Sequence, residues 1–224
     1  MKKLILAAIA LTTAASVFAQ GSVNFVNRST AGTTHVWGPG TNPGLSMVGI
    51  GSNDSPTGST FVPPAGSLMI GSAGAAGQYG AGTTFAQLLA FNGTTANEAS
   101  LTPMGVTTTF RTGAVQGVLV QQSDTLAGLA GDGLTPATLE MVAWDDSSTL
   151  YSTWTQASVA WNAGLIAAGK SGIIQLGATG GGTTTPPYLL IPSFNLYFVP
   201  EPTSFALAGL GAAAMMIFRR RNSK

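Results

Sequence analysis

The stretch Phe194-Asn195-Leu196-Tyr197-Phe198-Val199 sets Phe194, Leu196 and Phe198 in alternation with Asn195 and Tyr197. Successive side chains on a strand point to opposite faces, so this is the pattern of a half-buried β-strand. Working outward from it, short apolar runs between Gly, Thr and Pro turns recur at 22–26, 84–91, 107–111, 115–121, 139–144 and 172–176. Seven strands in roughly 180 residues fit one β-sandwich. Residues 38–82, rich in Gly, Pro and Ser, read as long surface loops, and 177–187 (GATGGGTTTPP) as a flexible connection. One short helix has room at 153–168, where Trp154, Ala157, Trp161 and Leu165 fall near helical spacing. The expectation is an all-β, single β-sandwich-like domain with long Gly/Thr/Pro-rich loops.

Composition agrees. Thirty glycines in 224 residues is about 13%, against a usual share of roughly 7%. Charged residues make up 8%, where an ordinary soluble domain has roughly 25%. There is no cysteine, so the chain has neither disulfides nor thiolate metal ligands. The net charge of +1 hides an asymmetry. Between residues 20 and 199 the basic residues are Arg28, Arg111 and Lys170, set against seven carboxylates, for a net −4. Phosphate binding needs clustered Lys and Arg, so nucleic acid is excluded as a partner.

Each end carries an apolar segment beside basic residues. Lys2 and Lys3 precede an apolar run at 4–15, and Val17-Phe18-Ala19 supplies small residues at the positions a signal peptidase reads. Cleavage is expected between Ala19 and Gln20. Twelve apolar or small residues are too few to span a bilayer comfortably, which favours removal over retention as an anchor. At the other end Pro200-Glu201-Pro202 follows the strand, then the run SFALAGLGAAAMMIF at 204–218, then Arg219, Arg220 and Arg221. Two prolines disfavour helix in the stretch that holds them. Fifteen helical residues cover roughly 22 Å, short of the roughly 30 Å hydrocarbon core, with snorkelling arginines and local thinning making up the rest. By the positive-inside rule the arginines stay cytoplasmic and the domain lies outside. Gly209 and Gly211, with the neighbouring alanines, give that helix a smooth face open to another membrane helix.

This three-part tail resembles the PEP-CTERM sorting signal of bacterial exported proteins. The resemblance implies that an exosortase-type membrane transpeptidase recognises Pro200, Glu201 and Pro202, removes the tail and passes the protein onward. These residues then act as substrate, not as catalysts. Segments of the domain also resemble a recurrent PEP-CTERM ectodomain, among them 21–28, Phe85-Ala86-Gln87-Leu88, 110–114, Val142-Ala143-Trp144-Asp145, Gly169-Lys170-Ser171 and 193–196. The chain accordingly divides into a signal peptide (1–19), an exported β-rich domain (20–199) and a sorting tail (200–224).

Within the domain, possible chemistry is set against plainer readings. Residues 164–171 match G-x-x-x-x-G-K-[ST], but a helical pattern precedes them and a strand follows, the reverse of a P-loop. They read as a turn into a strand. Asp145 and Asp146 could ligate calcium or serve a glycosidase, yet with Ser147 and Ser148 they make a polar turn. His35, the sole histidine, reads as a loop residue; no G-x-S-x-G elbow accompanies it. Trp37, Trp144, Trp154 and Trp161 could stack on sugar rings or pack a core. The N-x-[ST] triplets at Asn27, Asn53 and Asn92 read as incidental. No cofactor, metal or catalytic group is expected. The sequence leads to a non-enzymatic surface or matrix protein, held at the inner membrane before processing and released to the cell surface or outside. By the family resemblance, exopolysaccharide is a candidate partner. The alternative is a carbohydrate- or ligand-binding β-sandwich, distinguished by whether its tryptophans are exposed.

Overall fold

The computed structural model describes residues 20–29, 32–49, 61–72 and 77–200. The expectations for residues 1–19 with Ala19, for Glu201 and Pro202, for the apolar run 204–218 and for Arg219, Arg220 and Arg221 fall outside them. Of the described residues 40% lie in strands and 9% are helical, so the all-β reading holds. In chain order the strands are β1 Gln20–Phe25, β2 Arg28–Ser29, β3 Gly32–Thr33, β4 Val36–Trp37, β5 Val48–Gly49, β6 Thr84–Asn92, β7 Thr102–Thr108, β8 Gln122–Ala130 and β9 Ala137–Asp145. Helix α1 Trp154–Asn162 follows, then β10 Ala168–Lys170, β11 Ile174–Leu176 and β12 Ser193–Asn195.

β9 organises the domain. It pairs antiparallel with β6 along its full length, and β7 lies beyond β6. On its other side β10 pairs with its second half and β11 with its first. All nine residues of β9 are buried, because both faces are covered. Ala137, Leu139, Met141 and Ala143 face the main core, with Val23 and Phe25 of β1, Leu126 of β8 and Phe194 of β12. Val142 and Trp144 face the opposite way, under Trp154, Ala157 and Trp161 of α1. Period-two alternation therefore serves two cores at once.

Helix α1 starts at a capping box: Thr153 accepts from the Gln156 amide, and the Gln156 side chain accepts from the Thr153 amide. It ends sooner than 153–168. Gly164 has φ +71°, a conformation that favours glycine, and the chain turns there into β10. Leu165 therefore lies outside the helix and is exposed.

Five further expectations are corrected. The strand placed at 107–111 runs instead at Thr102–Thr108, where Pro103 is tolerated because β7 is the edge of the sheet. The stretch 115–121 is a turn apart from one bridge between Leu119 and Phe110; the strand is β8, paired with β1. Residues 38–82 are not all surface loop, since Phe61 and Ile70 are fully buried. The connection 177–187 is tied down: Gly180 and Ser22 exchange backbone hydrogen bonds at 2.7 and 2.8 Å, and the Thr179 hydroxyl donates to Ala130 O. The last strand, placed at 194–199, pairs as a strand only over Ser193–Asn195 and then bridges through Tyr197.

Candidate functional site

The C-terminal exit is built by three elements. β12 lies between β4 (parallel) and β5 (antiparallel). Past it, Tyr197 exchanges backbone hydrogen bonds with Ala168 of β10 at 2.9 and 3.2 Å, and its carbonyl accepts from the Trp161 indole at 2.9 Å. The two rings meet edge-on with centroids 5.1 Å apart. Phe198 N–H donates to Pro43 O at 2.9 Å, and Val199 packs against the tryptophan layer. At Pro200 the side chain is exposed and the residue has no N–H to continue a ladder. The chain is thus held residue by residue through Phe198 and freed at the first proline of the motif. At the other end Gln20 is exposed and is the first residue of β1, opposite Ala130.

The remaining candidates take plain places in the fold. Asp145 accepts from the amides of Tyr79 and Ser147 and from the Ser147 hydroxyl. Asp146 accepts from the Tyr151 amide at 2.6 Å. Both carboxylates tie down the turn after β9, and burial raises the pKa of Asp145. Among the described residues no group of three His, Cys, Asp or Glu comes together. Trp144, Trp154 and Trp161 are buried and form a ladder running from Phe85 to Tyr197, with centroid spacings of 5.1–5.9 Å. Trp37 is half-buried on β4. His35 sits in the link between β3 and β4, its amide donating to the Ser193 hydroxyl. Gly169 and Lys170 lie within β10, after a helix, so no phosphate cradle forms. Glycine is required at 169 because a side chain there would come within 2.5 Å of Asn195 O.

Sequence reading missed one cluster. Glu140 points to the α1 side of β9 and is fully buried, with no hydrogen bond to either carboxylate oxygen. Lys170 Nζ stands 3.8 Å from it and donates to Glu98 at 3.0 Å. Burial pushes the Glu140 carboxyl up to about 7, with Lys170 opposing the shift. The partners are distant in sequence, and the one local sign was a carboxylate breaking an apolar run.

A second feature is a cavity of about 440 Å³ that receives Arg28, Arg111, Gln121 and Tyr188. Arg111 is steadied by its Nε donating to Leu119 O at 3.2 Å. Two of the domain's three cations thus share one recess, and no carboxylate is among its lining residues.

Comparison with known proteins identifies the end of the chain. Residues 198–221 match the model of the PEP-CTERM protein-sorting motif. The match takes in Pro200, Glu201, Pro202, the apolar run and the three arginines, and it begins two residues before the chain is freed at Pro200. No curated protein and no solved structure matches this chain.

Proposed function

From a chain that carries a PEP-CTERM protein-sorting motif, we propose an exported, non-enzymatic surface or matrix protein, processed first by signal peptidase and then by an exosortase-type transpeptidase. The motif itself implies export and exosortase-type processing. The observation that supports cleavage at the tail is the exit geometry: the fold fixes Tyr197 and Phe198 by backbone bonds and leaves Pro200 exposed. A transpeptidase needs an extended substrate strand free of its own fold, and the proline-flanked Glu201 follows at once. In this reading the tail tethers the precursor to the inner membrane, with the domain outside, until it is cut. The test is Glu201→Ala in cells with an intact exosortase. Full-length precursor is expected to accumulate in the inner membrane; unchanged processing contradicts the proposal.

A second reading, a ligand-binding module, does not rest on Trp144, Trp154 and Trp161, which are core. It rests on the Arg28 and Arg111 recess, where guanidinium forks suit carboxylate groups and Tyr188 offers a half-exposed ring. Titration with a polyuronate and with a neutral glucan tests it. Uronate binding lost in Arg28→Gln/Arg111→Gln supports it, and equal or absent binding of both polymers removes it.

A further inference from the structure

We propose that the uncharged surface formed by α1 and the turn after it rests on the lipid bilayer while the precursor is tethered. This rests on the reading of residues 204–218 as the membrane segment. The first argument is reach. Pro200 and Ser204 are four residues apart, and an extended chain spans at most about 3.6 Å per residue, so the exit lies within roughly 14 Å of the apolar segment. The headgroup layer on each side of the hydrocarbon is itself about 5–7 Å deep. The exit side of the domain is therefore held against the headgroups.

The second argument is what that side consists of. Val199 O lies 3.2 Å from the point where a side chain on Gly164 would begin, so the chain leaves beside the turn that carries Leu165. There Leu150, Val159, Ala160, Ala163 and Leu165 line an open groove of about 460 Å³. Leu150, Val159 and Leu165 are 66%, 70% and 67% exposed. Residues 150–169 contain no Asp, Glu, Lys, Arg or His, in a domain whose net charge is negative. Leu45, also exposed, follows Gly44, whose side-chain position would lie 3.3 Å from the Pro200 ring on the other flank of the exit. An interfacial apolar face sinks about 5–10 Å into the headgroup boundary, which three or four such side chains can do. Their affinity alone is weak, but the tether makes the encounter intramolecular and its effective concentration high. Removing the tail then releases the face together with the domain.

The absence of cysteine allows single-cysteine labelling. Val159→Cys, Leu165→Cys and Leu134→Cys are made in the full chain, each carrying the fluorophore NBD. Leu134 is 82% exposed and follows β8, at the far end of β9 from α1, roughly 26 Å away along the strand. The proteins are reconstituted into phosphatidylethanolamine–phosphatidylglycerol vesicles containing nitroxide-headgroup lipid. Labels at 159 and 165 are expected to lose roughly half their emission, and the label at 134 to keep its own, because only interfacial groups lie within about 10 Å of the quencher. Adding Leu165→Glu, an exposed change that spares the fold, is expected to restore emission at 159. Vesicle flotation with unquenched labels at 159 and 165 overturns the surface contact alone. Failure to float overturns the tether and the contact with it. Labels shielded from aqueous iodide yet unquenched by lipid assign the face to a protein, a second copy or the processing enzyme, and overturn the proposal.

Discussion

The folded domain and the tail carry opposite kinds of information. Among the described residues from Gln20 to Val199 two packed cores hold most of the buried apolar side chains, yet no group of three His, Asp or Glu comes together. From Pro200 onward the chain carries a sorting motif that implies exosortase-type processing, and in the proposed reading recognition resides in a linear peptide. An enzyme that reads an extended segment needs residue order, which a single sequence displays directly. A ligand site assembled by folding needs partners that sequence scatters, as Arg28, Arg111 and Tyr188 are scattered.

The largest effect that could break this contrast is transplantation. Residues 198–224 fused to an unrelated exported carrier are expected to confer exosortase-dependent processing, read as loss of the tail's mass. A carrier that stays unprocessed would show that the domain contributes to recognition. Next comes Trp144→Ala, which empties a fully buried site between β9 and α1. It is expected to cost about 3–5 kcal/mol in denaturant unfolding while leaving tail cleavage intact in whatever fraction folds. Gly169→Ala drives a methyl toward Asn195 O and is expected to cost about 1–3 kcal/mol.

Glu140 sharpens the comparison through pH. Its carboxyl titrates near 7 in the fold against 4.5 ordinarily, so the unfolded chain releases that proton first. Stability is therefore expected to fall as pH rises from about 4.5 to 7, by roughly 3 kcal/mol at most, and to level off above. Glu140→Gln is expected to flatten that slope and raise the unfolding midpoint at pH 8. A slope unchanged by the substitution would show that Glu140 is not the group responsible. The smallest effect is at Leu134, exposed in the turn between β8 and β9, where Leu134→Ser is expected to shift stability by less than about 0.5 kcal/mol.

The fold was legible where burial follows a local pattern. β1, β6 and β9 show it in apolar runs, and the buried face of α1 shows it in Trp154, Ala157 and Trp161. It was illegible where tertiary contacts override composition. β8 reads QSDTLAGLA, and its inward positions include Asp124, whose carboxylate accepts from Val106 N–H of β7 at 3.1 Å and joins two strands. Gly128, at φ +93°, lies where the pairing with β1 slips, so no even alternation survives. Phe61 and Ile70 are core residues within Gly/Pro-rich sequence, supplied by long-range contacts that composition does not record. The motif needed no fold to be read. The exposed release of the chain at Pro200, and the apolar face beside it, became visible only with α1, β10 and β12 in place.

The central claim is that this chain is cut at both ends and that Pro200-Glu201-Pro202 directs the second cut. Intact-mass measurement of the protein recovered from the surface and extracellular fractions tests it most directly. The expected species begins at Gln20 and lacks residues 204–224. A surface species that retains the apolar run and Arg219, Arg220 and Arg221 would contradict it.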